Sequence, residues 1–203
     1  MAGSFMAQWV YTDIVKDHFM NPRNLWKEGE DFEPDGVGEV GSLACGDQMR
    51  VGIKVKDGRI EDLRWLTYGC ASAIASTSMM SEMAIGMTLE DAYALTPDKI
   101  TKALGGLPEH KFHCSVLGDK ALRAAVDDYL AKNNLPNPYK ARTAKIICEC
   151  KGVTDHMIEE LVKNDKVKNF AELQAATGCA TACGKCRGRI MEELNEYLHI
   201  YGK

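Results

Sequence analysis

The sequence lacks the features that would tie it to a membrane, to secretion or to nucleic acid. None of its apolar runs approaches the length of a bilayer-spanning helix. A nucleic-acid binder normally presents a basic face, whereas this chain has a formal net charge of -4 and a pI near 5.8. The first residues, MAGSFMAQWVYTDIVKDHF, hold no basic segment followed by an apolar one, the pattern of a secretory signal. A cytoplasmic protein with neither nucleic-acid nor membrane partners is expected. There is also no glycine-rich phosphate loop, no dinucleotide fingerprint and no Ser/His/Asp constellation.

Cysteine, by contrast, is plentiful. Eight occur: Cys45, Cys70, Cys114, Cys148, Cys150, Cys179, Cys183 and Cys186. In a chain of cytoplasmic character such a set points to metal binding or thiol chemistry rather than to disulfide staples. One isolated cysteine is most often a buried, inert thiol. Eight in two spacing patterns call for another explanation.

The pattern along the chain divides it. VYTDIVKDHFM has helical spacing and stops at Pro22. Met49, Val51, Ile53 and Val55 alternate with Arg50, Gly52, Lys54 and Lys56, a strand with one buried face. Asp57-Gly58 is a type I′ hairpin signal, with RIEDLRWLTY as the return strand and VGEVGSLA as a third. Helices follow from Cys70 to about Gly86, after Thr88, from Pro97, and from His113 to Asn133. Asn, Pro and basic residues then cluster over 133–145, a linker signal. The tail carries three more helices, two of them capped by Thr154 and by Asn169 with Glu172. So small a core ordinarily needs a metal or disulfide. The expected domains are 1–132, a linker at 133–145, and 146–203.

Two close cysteine pairs mark the tail: Cys148-Glu149-Cys150 and Cys183-Gly184-Lys185-Cys186. Four thiolates suit zinc or a [2Fe-2S] cluster, and a CxC pair is tight for structural zinc. The pattern CxC…GCATACGKC resembles the bacterioferritin-associated-ferredoxin-like [2Fe-2S] domain. That resemblance carries the ligand roles to Cys148, Cys150, Cys183 and Cys186 and leaves Cys179 over, a small packed residue or an alternate ligand. Lys185, Arg187 and Arg189 surround the second pair, as a solvated face or as cations offsetting cluster or partner charge. A thiol–disulfide enzyme on Cys183 and Cys186 lacks its βαβ context.

The first domain holds Cys45, Cys70 and Cys114, each where an element begins or ends, the latter two near helix N-termini that favour thiolate. Asp47 follows Cys45 at the spacing that separates Cys148 from Cys150. NPRN, ACGDQM, YGCASAIAS and HKFHCS closely resemble the IscU/NifU iron–sulfur scaffold family, over about Thr12 to Leu130. The resemblance implies an α+β fold: an IscU-like antiparallel three-stranded sheet packed with helices, followed by a small all-α helix–turn–helix [2Fe-2S] domain. It implies a scaffold rather than an enzyme, with a transient Fe–S cluster, iron or zinc on Cys45, Cys70 and Cys114. Asp47 and His113 are family-associated ligand positions, and Lys111 matches an auxiliary lysine. Three-domain members of the family continue into a CxxC domain that this sequence does not contain. Its Leu107-to-Lys111 segment also departs from the family's chaperone-recognised one.

On that resemblance sulfur comes from a cysteine desulfurase, clusters pass to apo iron–sulfur proteins, and an electron donor serves a permanent tail [2Fe-2S] cluster. A homodimer is compatible with it. The competing reading is a structural or regulatory zinc protein, since three Cys plus Asp is a plausible zinc set.

Overall fold

The structure is a computed structural model that describes residues 11–27, 29–42, 47–107 and 116–202, with the backbone alone at residues 42, 47 and 116. Strands β1 (Gly36–Ser42), β2 (Asp47–Lys56) and β3 (Arg59–Thr67) form an antiparallel meander in the order β1-β2-β3. The alternation in β2 lands as the sequence predicts, with Met49, Val51 and Ile53 fully buried. Asp57 (φ 51°) and Gly58 (φ 72°) take the left-handed conformations that a type I′ turn demands. Helix α5 (Val116–Lys132) lies almost in contact with the backbone of β1. A Cβ on Gly38 would stand 2.0 Å from the Ala121 carbonyl oxygen, so only glycine permits that approach.

Helix α1 (Asp13–Met20) starts at Thr12, whose hydroxyl accepts from the Val15 N–H. It packs on α2 (Ala71–Ala84), which buries a row of hydroxyls: Ser72, Ser76, Thr77, Ser78 and Ser81. Ser76 and Thr77 satisfy themselves on carbonyls four residues back, as buried polar groups must. Ser78 and Ser81 instead fasten the NPRN segment. The Arg23 N–H donates to Ser78 Oγ at 2.9 Å, and Asn24 Nδ2 donates to Ser81 Oγ at 3.0 Å. His18 Nδ1 lies 2.8 Å from Ser78 Oγ, and burial lowers its pKa, so this histidine is structural. Trp65, fully buried, donates its indole N–H to the Arg23 carbonyl. Burying a large side chain of this kind is worth roughly 1.5–3 kcal/mol. Helices α3 (Leu89–Tyr93) and α4 (Pro97–Ala103) complete this half, the first capped by Thr88.

The stretch read as a linker contains a short helix, α6 (Tyr139–Thr143), started by Asn137 Oδ1 accepting from the Tyr139 N–H. Beyond it, β4 (Ile146–Cys148) and β5 (Val153–Thr154) make a two-stranded sheet that the all-helical expectation did not contain. Helices α7 (Asp155–Lys163), α8 (Phe170–Thr177) and α9 (Arg187–Tyr201) follow. Thr154 and Asn169 cap α7 and α8 as the sequence suggests. A second core gathers Ile147, Val153, Ile158, Val162, Leu173, Ile190, Leu194 and Tyr197, together with three cysteines.

The two halves meet along α9. Ile200 belongs to the first core, and α9 touches β1. Around this contact runs an ionic seam. Lys120 pairs with Glu196 at 3.4 Å, Lys140 with Glu160 at 2.9 Å and Arg142 with Glu90 at 2.6 Å. The Tyr201 hydroxyl donates to Glu159. Among the described residues no helix is long and apolar enough to cross a membrane.

Candidate metal centre

In the first half the described residues show part of the predicted site. Cys70 is the N-cap of α2, half-buried, and its side chain makes no capping bond. The thiol stands at the positive end of a helix dipole without being consumed by the helix. Asp47 opens β2 opposite Ser42, and only its backbone is described. The Tyr68 N–H bonds the Gln48 carbonyl at 3.3 Å, and Thr67 Oγ1 donates to the same oxygen at 2.8 Å. The start of β2 and the segment leading to Cys70 therefore share one end of the sheet. Cys45, Lys111, His113 and Cys114 lie outside the described residues.

The tail cysteines are brought together. Cys148 ends β4, Cys150 lies in the turn to β5, Cys183 in the turn before α9, and Cys186 is the N-cap of α9. Sequence proximity groups them by motif, but the fold pairs them crosswise. The Cys150 thiol donates to Cys183 Sγ at 3.4 Å, and both are exposed. Cys148 and Cys186, 1% and 4% exposed, are neighbours inside the second core.

Each pair is electrically asymmetric. The Ala180 N–H, aided by those of Lys151 and Cys150, favours thiolate at Cys148 and lowers its pKa. Burial, then the neighbouring Cys148, pushes Cys186 up. In the exposed pair the Lys185 N–H lowers the Cys183 pKa, whereas the hydrogen bond to Cys183 raises that of Cys150. These N–H donors are the contribution that the sequence reading missed. Two of them, from Ala180 and Lys185, lie at or next to residues in left-handed conformations, Ala180 (φ 58°) and Gly184 (φ 70°), of which only the glycine leaves a sequence signal.

Such a donor set fits a two-metal thiolate cluster: soft ligands, in two pairs, with N–H groups turned to sulfur. Among the described residues no three or more His, Cys, Asp or Glu side chains are grouped as ligands of a single ion. Cys179 is fully buried in the second core. Its N–H donates to Thr177 Oγ1, and its carbonyl accepts from Gln174. Lys185, Arg187 and Arg189 are exposed, with the Arg187 guanidinium 4.8 Å from the centre of the Phe170 ring.

Residues 10–136 match the family described as NifU-like N terminal domain, and residues 146–196 match the BFD-like [2Fe-2S] binding domain. An iron–sulfur cluster assembly scaffold protein IscU 1 of Archaeoglobus fulgidus is 54% identical over 124 residues, 61% of this chain and 79% of that one. A nitrogen fixation protein NifU of Nostoc sp. is 37% identical over 187 residues, 90% of this chain, and the chain spans 62% of that relative's length. The scaffold protein IscU of Azotobacter vinelandii is 48% identical over 126 residues, covering 98% of it. A crystal structure of a NifU-like N-terminal protein from Brucella abortus aligns with a TM-score of 0.47 at 23% identity, over 60% of this chain and 94% of that one.

Proposed function

The chain belongs to the NifU-like N terminal domain family, and from that premise we propose that it is a two-site iron–sulfur scaffold rather than an enzyme. The first site builds a transient cluster on Cys45, Cys70 and Cys114 with Asp47, and passes it to apo-proteins. The second, on Cys148, Cys150, Cys183 and Cys186, holds a resident [2Fe-2S] group. The domains are those of the sequence division, 1–132 and 146–203, joined through 133–145. The observation that carries the reading is the convergence of four thiols as two pairs in a tail that matches a [2Fe-2S] binding domain.

At the first site the cluster is cargo. A cysteine desulfurase supplies sulfur as a persulfide to a scaffold thiol, Cys114 being the favoured acceptor because Lys111 and His113 adjoin it in sequence. The ligand set mixes three thiolates with a hard carboxylate, a poorer match for soft iron–sulfur chemistry than four thiolates. Cargo therefore leaves this site more readily than it leaves the tail. In the tail, Ala180, Lys151 and Lys185 supply N–H groups that hold negative charge on sulfur, and burial of Cys148 and Cys186 keeps water from half the ligand set. A [2Fe-2S] group held there would supply one-electron transfer during assembly, with an external partner as the electron donor.

The test is iron, sulfide and zinc analysis of anaerobically purified protein beside a Cys148→Ala variant. Iron with sulfide and a brown-red colour are expected, with the tail chromophore lost in the variant. Colourless, zinc-loaded protein would refute the scaffold reading. A variant that keeps every chromophore would refute the tail ligand assignment.

A further inference from the structure

The tail thiols differ in access as well as in charge. Cys148, Cys179 and Cys186 are packed in the second core, whereas Cys150 and Cys183 face solvent with their sulfurs 3.4 Å apart. A disulfide needs a separation of about 2.05 Å, so the two sulfurs are little more than an ångström from bonding distance. A Cβ built on Gly184, next to Cys183, would meet nothing within 4 Å, and the same is true of Gly152, close to Cys150. Both thiols lie outside the second core, so their approach involves exposed side chains.

We infer that Cys150 and Cys183 form a peroxide-sensitive disulfide switch in the cluster-free tail, which closes the site to loading until a thiol reductant reopens it. Hydrogen peroxide is the oxidant. One thiolate of the pair attacks a peroxide oxygen; the O–O bond breaks, hydroxide leaves, and a sulfenic acid forms. The second thiol attacks the sulfenic sulfur; the S–S bond forms, the S–O bond breaks, and water leaves with the thiol's proton. The two sulfurs lose two electrons between them, and the peroxide is reduced to hydroxide and water. The nearby second thiol also intercepts the sulfenic acid before it oxidises irreversibly. Thiol–disulfide exchange with a small dithiol restores both ligands. Burial denies this chemistry to Cys148 and Cys186, although they too are neighbours.

The bridge itself does not depend on the proposed cluster; its consequence for loading does. The experiment treats metal-free full-length protein with hydrogen peroxide, alkylates the remaining thiols and maps the cross-linked peptides. A Cys150–Cys183 bridge is expected in the wild type and in Cys148→Ser, and none in Cys150→Ser. A Cys148–Cys186 bridge, a bridge between molecules, or sulfenic acid accumulating without any bridge would overturn the proposal. Oxidised protein given ferrous iron and limiting sulfide should develop no tail chromophore until dithiothreitol is added. Equal loading with and without the reductant would overturn the gating role. If reduced protein also develops no tail chromophore, the ligand assignment fails, and the peptide map still decides whether the switch exists.

Discussion

Lys120 on α5 lies 3.4 Å from Glu196 on α9, and its ammonium stands 4.2 Å from the centre of the neighbouring Tyr197 ring. The lysine is 6% exposed and the glutamate 28%, so the contact is a largely buried link between the two halves of the chain. Removing one member of a buried pair strands the other's charge, at about 3–5 kcal/mol when burial is complete. Lys120→Met should therefore lower stability by about 2–3 kcal/mol, since Glu196 keeps some solvent. Glu196→Gln should cost more, because the charge it strands, on Lys120, is the more deeply buried of the two. Chemical denaturation of the full chain checks both, and equal effects from the two variants would contradict the argument.

Asp119 precedes this lysine, is 3% exposed, and has an Oδ1 atom without a hydrogen-bond partner among the described residues. Burial raises its pKa from 3.8 to about 6, against the pull of Arg123 and Lys120. A raised folded pKa means that the folded state binds the proton more tightly than the unfolded chain. Stability from this group is present below pH 3.8 and is lost as pH rises through about 6. At roughly 1.4 kcal/mol per unit the loss approaches about 3 kcal/mol at neutral pH. Asp119→Asn should thus stabilise the protein at pH 7 and make little difference at pH 4. Denaturation midpoints across that range would decide it, and a destabilised variant at pH 7 would show that the charge is needed.

Glu159 shows the opposite behaviour. Burial alone would raise its pKa, but the hydrogen bond from His156, the charge of Lys120 and the hydrogen bond from Tyr201 outweigh it and bring the value to about 2. Its stabilising contribution is present above 4.5 and fades as pH falls towards about 2. Tyr201→Phe removes one of those supports, at about 1.5–3 kcal/mol for a hydrogen bond to a charged group. The loss in denaturation stability should be full at pH 7 and shrink as pH falls towards about 2. A loss independent of pH would instead place the effect in packing.

The elements most legible in sequence are those fixed by local chemistry. The period of two in β2 puts Met49, Val51 and Ile53 inside, and the Asn169–Glu172 pair starts α8 as its spacing implies. What depends on distant partners is not legible. Cys148 and Cys150 look equivalent in a CxC motif, yet one ends a strand inside the core and the other sits in the turn outside it. Ile190, Leu194 and Leu198 reveal one stripe of α9. Periodicity cannot tell that Ile200, further along the same helix, belongs to the other core. The helix α6 is hidden because Asn137 and Pro138 signal a loop and a helix start equally well.

Two glycines predict opposite outcomes from the same substitution. A methyl on Gly38 would meet the Ala121 carbonyl at 2.0 Å and the Ala125 nitrogen at 2.5 Å, both backbone. Gly38→Ala must push α5 off β1 and should cost at least about 3 kcal/mol, the upper range of overpacking. Gly188 lies in the first turn of α9 with nothing within 4 Å of a built Cβ. Gly188→Ala should leave stability unchanged or raise it by up to about 1 kcal/mol through helix propensity. Thermal denaturation of the two variants side by side tests both statements.

Asp47 tests the proposed division of labour between the two sites. It stands at the start of β2, at the sheet end from which the chain runs on to Cys70. If its carboxylate is the hard ligand that weakens the hold on cargo, its removal should slow release rather than prevent assembly. Asp47→Ala, reconstituted with iron and sulfide, should transfer its scaffold cluster to an apo-ferredoxin several-fold more slowly than the wild type. The tail chromophore should be unaffected, because Cys148, Cys150, Cys183 and Cys186 form a separate set. Following ferredoxin absorbance over time measures the first effect, and the residual protein spectrum measures the second. Transfer at an unchanged rate would remove Asp47 from the release step, and loss of the tail colour as well would mean that the two sites are not independent.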